Sequence, residues 1–198
     1  MRKLIVSNIM SLDGYVAGPG GDVMAMPMDH AFDEANAERM RAAGTLLLGA
    51  TTYRGFVSFW PHALAMPGLT VPSREIAEIY AGGLEKVVVS DTLTAEEAGP
   101  WRDSTRIVPR ADAPRAVSDL RAEADSNADI LVFGSPTMWN ALLVAGLVDE
   151  LHLMVGPAAI GGGTPAFGVS VTTNGLELRD VRRWDGSSNV LLVYAVSA

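Results

Sequence analysis

The chain has 198 residues, 48% hydrophobic and only 19% charged, which excludes a disordered protein and is enough apolar material for one well-buried domain. Its formal net charge of −8 argues against a nucleic-acid partner, because such binders present a basic face; an anionic cofactor held by local N–H groups is still allowed. There is no cysteine for a disulfide or a thiolate metal site, no apolar run approaches the roughly 20 residues that span a bilayer, and no signal-peptide pattern opens the chain, so we expect a cytoplasmic protein with no membrane partner.

Leu4, Ile5 and Val6 open the first strand, which extends to Ile9. It leads into S-L-D-G-Y-V-A-G-P-G-G-D (11–22), where Asp13-Gly14 reads as a turn pair and Gly18 to Gly21 as a flexible loop. Asp13 is either a turn residue bonding its own backbone or part of a loop that covers a substrate. The methionine-rich stretch Met24 to Met28 either fills core gaps or lines a pocket for a flat ring. A helix follows from about Asp29 to Ala43, with Asp29, Asp33 and Glu34 in its first turns, where they suit the helix dipole, and Gly44 as its stop.

Thr45 to Leu48 reads as a second strand running into Gly49-Ala50-Thr51-Thr52. This is a glycine after a strand with two hydroxyls and a helix start, a candidate phosphate seat. Phe59-Trp60-Pro61 closes that helix. Pro72 to Tyr80 is a short amphipathic helix stopped by Gly82-Gly83, and Lys86 to Val89 a third strand ending in the polar turn Ser90-Asp91-Thr92. Ile107-Val108 is a fourth strand. Asp112 can cap a helix from Ala113 to Asp125, with Val117, Leu120 and Ala124 inward.

The stretch from Asp129 to Gly146 is the most organised. Ile130 to Phe133 is a continuous apolar run, as in a strand buried on both faces. Gly134 breaks it, Ser135 suits an N-cap, Pro136 the first helical position and Gly146 the position past the end. Met138, Ala141, Leu142 and Ala145 form one apolar face. The open end of this helix suits a phosphate. Leu151 to Val155 is a further strand, and Pro157 to Phe167, with Gly161, Gly162 and Gly163, a glycine-rich loop that permits close backbone approach to something flat or anionic. Leu176 to Trp184 and Val190 to Val196 flank Asp185 to Asn189 as an antiparallel hairpin.

The alternation predicts an α/β fold: a three-layer α/β/α sandwich, mostly parallel, with an antiparallel C-terminal hairpin. The turns after Leu48, Val89 and Phe133 then line the carboxyl edge, where ligands bind in such sheets. The low charge and a mean hydropathy of +0.21 point to a buried two-fold interface.

Five blocks carry a resemblance: N-I-M-S-L-D-G-Y-V-A-G (8–18), L-L-L-G-A-T-T-Y-R-G-F (46–56), V-V-V-S-D-T-L (87–93), V-F-G-S-P-T-M (132–138) and D-E-L-H-L-M-V-G-P-A-A-I-G-G-G-T-P-A-F (149–167). In order and spacing the chain resembles the dihydrofolate reductase-like superfamily, and within it the reductase half of the bifunctional deaminase-reductase of riboflavin biosynthesis. The deaminase half's H-x-E and P-C-x-x-C zinc pattern is absent. The resemblance implies one domain over 1–198, a homodimer, and an NADPH-dependent reductase of a pyrimidine or pterin-like heterocycle. It places the cofactor on Gly49, Ala50, Thr51 and Thr52, on Ser90, Asp91 and Thr92, and on Gly134, Ser135, Thr137 and Met138. Gly161, Gly162 and Gly163 fall beside the nicotinamide or substrate, and Asn8 and Asp13 on the substrate side. Asp33 matches the pocket carboxylate of dihydrofolate reductases, which in a desolvated cleft would be suited to proton transfer. Ala50 departs from the pattern: dihydrofolate reductases carry Arg there against a cofactor phosphate, so Arg54, Arg110 or backbone N–H groups would have to replace it.

Two other readings compete. A flavin-binding, flavodoxin-like oxidoreductase suits G-S-P-T-M, but S-L-D-G-Y after the first strand lacks a hydroxyl-rich phosphate cradle. A non-catalytic nucleotide-binding paralogue is compatible with Ala50. Hydrolysis lacks a G-x-S-x-G elbow, and His30, His62 and His152 show no metal spacing.

Overall fold

The computed structural model describes residues 1–123, 128–169, 171 and 175–197. The strands are β1 (Leu4–Ser11), β2 (Tyr15–Ala17), β3 (Ala43–Gly49), β4 (Glu85–Val89), β5 (Thr105–Val108), β6 (Asp129–Phe133), β7 (Glu150–Gly156), β8 (Thr164–Pro165), β9 (Leu176–Arg183) and β10 (Val190–Val196). The α-helices are α1 (His30–Ala42), α2 (Ala50–Ala63), α3 (Val71–Ala81), α4 (Ala113–Ala122) and α5 (Pro136–Val144).

Among the described residues the main sheet runs β5-β4-β3-β6-β1-β7-β10-β9. From β5 to β7 every pairing is parallel, and β10 and β9 close the sheet as an antiparallel hairpin. Alternating side chains build a core on each face. Leu4, Val6, Leu47, Val87, Ile130 and Val132 pack against α4 and α5. Ile5, Leu46, Leu48, Val88, Leu131 and Phe133 pack against α1, α2 and α3. This is the expected three-layer sandwich. Both sides of the parallel strands are covered, which explains their unbroken apolar runs.

The local differences have physical causes. α1 passes into β3 with no intervening turn, so Gly44 lies inside the strand rather than stopping the helix. α2 continues past Pro61 to Ala63, since a proline in the last turn removes one N–H without preventing the turn from forming. Asp112 precedes α4 but makes no capping bond, and α4 ends at Ala122; the expected extension through Ala124 to Asp125 lies outside the described residues. On α5 the buried positions are Trp139, Asn140, Leu142 and Leu143, while Ala141 and Ala145 are exposed. The large indole, packed edge-on against Phe167, sets the helix rotation in place of the smaller alanines. Gly146 does follow the helix at φ +67°.

The loop after β1 contains a second, two-stranded sheet in which β2 pairs with β8 of the glycine-rich loop. Strands of three and two residues leave no periodic trace in the sequence. Met26 is a core residue, buried with Ile9, Ala31, Ala35, Met154 and Leu191, whereas Met24 and Met28 are exposed.

Candidate functional site

Adjacent strands β3 and β6 send their following helices to opposite faces of the sheet: α2 to one, α5 to the other. Such a switch point opens a crevice at the carboxyl edge. The turns that leave these two strands interlock across it.

Gly49 ends β3 and Gly134 follows β6. A Cβ on Gly49 would stand 2.2 Å from Ser135 Oγ, and one on Gly134 would stand 2.5 Å from Thr52 Oγ1. Each turn's hydroxyl residue thus fills the space left by the other turn's glycine. The Gly49 N–H donates to Ser135 Oγ at 3.1 Å, and the Ser135 and Thr52 hydroxyls lie 3.0 Å apart. These two glycines make room for each other's turn.

Ser135 occupies the N-cap position of α5 without capping it. Its backbone is left-handed at φ +46°, alone among the described non-glycine residues, and its hydroxyl turns to the other turn instead of to its own helix. That conformation costs on the order of 1–2 kcal/mol in a residue with a Cβ. Gly49, at the N-cap of α2, offers no side-chain cap either. Both helix starts therefore meet the crevice with uncapped N–H groups and partial positive charge.

Asn8 of β1 lies beside the β6–α5 turn. Its Oδ1 accepts the Gly134 N–H at 3.1 Å, while its Nδ2 is buried with no partner among the described residues. A buried amide donor without an acceptor is a feature that calls for a ligand or water. Met10, Met138 and Phe167 lie half-buried against the core on the same face of the sheet as Asn8. The donor set suits a dinucleotide: helix N-termini and hydroxyls for phosphates, an amide donor and apolar surface for a flat ring.

Ser90 lies on the same rim, one strand further along, since Val89 pairs in register with Gly49. Its buried hydroxyl accepts the N–H groups of Thr92 and Leu93 and so shapes its own turn. Asp91 accepts the Arg110 N–H at 2.9 Å, and its carboxylate is 3.6 Å from the Arg110 guanidinium. Thr92, Thr51 and Thr137 are exposed on the rim, and Ala50 is half-buried. Arg54 points away to Glu97, with Nε 2.7 Å from Oε1.

The glycine-rich loop is held by protein groups. Asp13 accepts from Ser11 Oγ at 2.6 Å and from the N–H groups of Ile160 and Gly161, the latter at 2.7 Å. The Ser11 hydroxyl, then the Gly161 N–H, keep the Asp13 carboxyl below its ordinary range. Asp13 thus clasps two loops together. Gly163, at φ +131°, approaches Ala17 O so closely that any Cβ would stand at 2.1 Å, whereas Gly161 and Gly162 face open space.

Asn140 has no counterpart among the expected site residues. Buried on α5, it donates to Pro136 O and Ala166 O and accepts from the Gly168 N–H, pinning the end of the glycine-rich loop to the helix. A lone amide in the apolar run P-T-M-W-N-A-L-L-V was the available signal.

The side-chain hydrogen bonds of Asp33 go to the start of α3. Half-buried in the first turn of α1, Asp33 accepts from Thr70 Oγ1 at 3.1 Å and Ser73 Oγ at 3.0 Å.

A family model, the RibD C-terminal domain, matches residues 2–192. No curated protein matches the chain in sequence. Among solved structures, a protein of Shewanella sp. PV-4 provisionally assigned to riboflavin biosynthesis shares 21% identity over 99% of each chain, with a TM-score of 0.73. A pyrimidine reductase-like protein of Corynebacterium diphtheriae shares 16% identity over 100% of this chain and 92% of its own, at 0.64. A deaminase/5-amino-6-(5-phosphoribosylamino)uracil reductase of Thermotoga maritima shares 17% identity over 99% of this chain but 57% of its own, at 0.63. At these identities the likeness is one of fold.

Proposed function

We infer the function from a premise that nearly the whole chain supplies: it belongs to the RibD C-terminal domain family. We propose that it is an NADPH-dependent reductase of a pyrimidine or pterin-like heterocycle, of the kind named in riboflavin biosynthesis. The observation that carries this is the pair of interlocked turns at the β3/β6 switch point, with two uncapped helix starts and the unpartnered amide of Asn8 beside them.

When bound, the cofactor supplies a hydride. The chain's own groups do the rest. The first turns of α2 and α5 offer N–H groups and positive partial charge to the pyrophosphate. Thr92 and Arg110, on the Ser90 turn and beside it, face the adenosine end. Asn8 Nδ2 donates to a ring carbonyl or carboxamide, and Met10, Met138 and Phe167 exclude water from the flat ring. The Asp13 clasp holds the two loops beyond β1 and β7 together, at the substrate end of the rim. We assign no step to Asp33, whose carboxylate is held by α3 hydroxyls. A cytoplasmic homodimer completes the reading. Among the described residues no helix is long and apolar enough to cross a membrane.

The test is oxidation of NADPH, followed at about 340 nm, against a panel of aminopyrimidines and oxidised pteridines, with NADH in parallel and sedimentation to read the subunit number. Turnover with at least one heterocycle is expected. Dinucleotide binding with no turnover on any of them would favour a non-catalytic nucleotide-binding relative.

A further inference from the structure

Ser135 poses a question that the family's chemistry does not answer. A glycine would hold its left-handed backbone without strain. The chain places a serine there, and the hydroxyl gained makes no bond within its own turn or helix. Both its partners, the Gly49 N–H and the Thr52 hydroxyl, belong to the β3–α2 turn. The fit is reciprocal, because Thr52 in turn occupies the space over Gly134.

We propose that Ser135 is a positioning residue: through Gly49 and Thr52 it locks the β3–α2 and β6–α5 turns into one rigid clamp, so that two helix N-termini on opposite faces of the sheet are presented together to a single dinucleotide. The inference rests on the dinucleotide reading above and deepens it. The clamp works before the ligand arrives. Without it each turn would have to be ordered at the moment of binding, at an entropic cost to affinity. The hydroxyl that accepts from Gly49 keeps its own proton for Thr52, or accepts a second one from it, so both bonds can form at once. Asn8, accepting from the Gly134 N–H, adds a third strand, β1, to the same unit.

Dissociation constants for NADPH and NADH, measured by quenching of intrinsic tryptophan fluorescence, and melting temperatures test this in five proteins: wild type, Ser135→Gly, Thr52→Val, Thr52→Ser and the double variant Ser135→Gly/Thr52→Val. Ser135→Gly removes the hydroxyl and relieves the backbone, so it keeps its melting temperature. It weakens dinucleotide binding by about threefold to tenfold, as for the loss of the two bonds that join the turns. Thr52→Val does the same and Thr52→Ser restores binding. The double variant is no weaker than Ser135→Gly by more than about twofold, because the bond lost in Thr52→Val is already one of the two lost in Ser135→Gly. Ser135→Gly binding as tightly as wild type, or the two losses multiplying in full, would overturn the clamp. Tighter binding by Ser135→Gly would overturn it too, by showing that the hydroxyl competes with the ligand for the Gly49 N–H. If wild type binds neither dinucleotide, the proposed function falls and the clamp with it; if wild type binds and only the variant pattern is wrong, the function stands and the clamp alone falls.

Discussion

The hydroxyl of Ser135 lies 3.0 Å from the hydroxyl of Thr52, and these residues are 83 positions apart in the chain. The contact joins the two turns at the point where the sheet's connections diverge, and each turn's glycine exists to receive the other's side chain.

That fit makes Gly49 intolerant of any side chain. Gly49→Ala places a methyl 2.2 Å from Ser135 Oγ and is expected to lose about 1–3 kcal/mol of stability by overpacking. Adding Ser135→Gly clears the space, so the double variant recovers most of the loss. Urea unfolding of the three proteins measures this. Equal loss in the single and double variants would show that the clash is elsewhere.

Arg110 and Arg54 both offered a replacement for the positive charge missing at Ala50. Arg54 is bound to Glu97 at 2.7 Å, whereas the Arg110 guanidinium, 71% exposed, is only loosely paired at 3.6 Å to Asp91 on the Ser90 turn. Arg110→Ala should therefore weaken NADPH binding by about tenfold, as for loss of one charge-assisted bond, and leave NADH binding unchanged, while Arg54→Ala changes neither. Calorimetric titration with both dinucleotides decides. A parallel loss for NADH would remove Arg110 from the 2′-phosphate.

Asp33 matches a proton-transferring carboxylate by its place in the chain, yet its contacts tie α1 to the start of α3. We expect Asp33→Ala to lower stability by about 1 kcal/mol, the net worth of a partly exposed hydrogen-bond pair, with kcat within about threefold of wild type. A kcat loss of about a hundredfold in a variant that still folds and binds the cofactor would return Asp33 to the reaction.

Lys86 is fully buried, donating to Leu84 O and Ser104 Oγ and lying 4.7 Å from the Trp101 ring centroid. Burial lowers its amine from 10.5 to about 8. The unfolded chain then binds more protons than the folded one between these values, so this residue's contribution to stability rises with pH across that window and is least favourable below it. The stability of wild type minus that of Lys86→Met should increase from about pH 8 to pH 10. A flat difference would mean that the amine titrates normally.

The regular part of this architecture was legible because it is local. Apolar runs at Leu46 to Leu48, Val87 to Val89 and Ile130 to Val132 announced buried parallel strands, and glycines after β3 and β6 announced the turns at the crevice. What stayed hidden depends on contacts distant in sequence. Ser135 has the residue type of a helix cap, and only the presence of Gly49 and Thr52 across the sheet explains why its hydroxyl leaves its own helix. Asp13 looked like a turn residue because its acceptors' partners, Ile160 and Gly161, come 147 and 148 positions later. The rotation of α5 escapes a period count, which gives Trp139 no more weight than Ala141.

The most direct test of the central claim is a titration of NADPH into isotope-labelled protein, following the backbone amide signals of 49–52 and of Gly134, Ser135, Thr137 and Met138. The account predicts that both sets shift together with one dissociation constant. Movement of one turn without the other, or of neither while signals elsewhere shift, would contradict it.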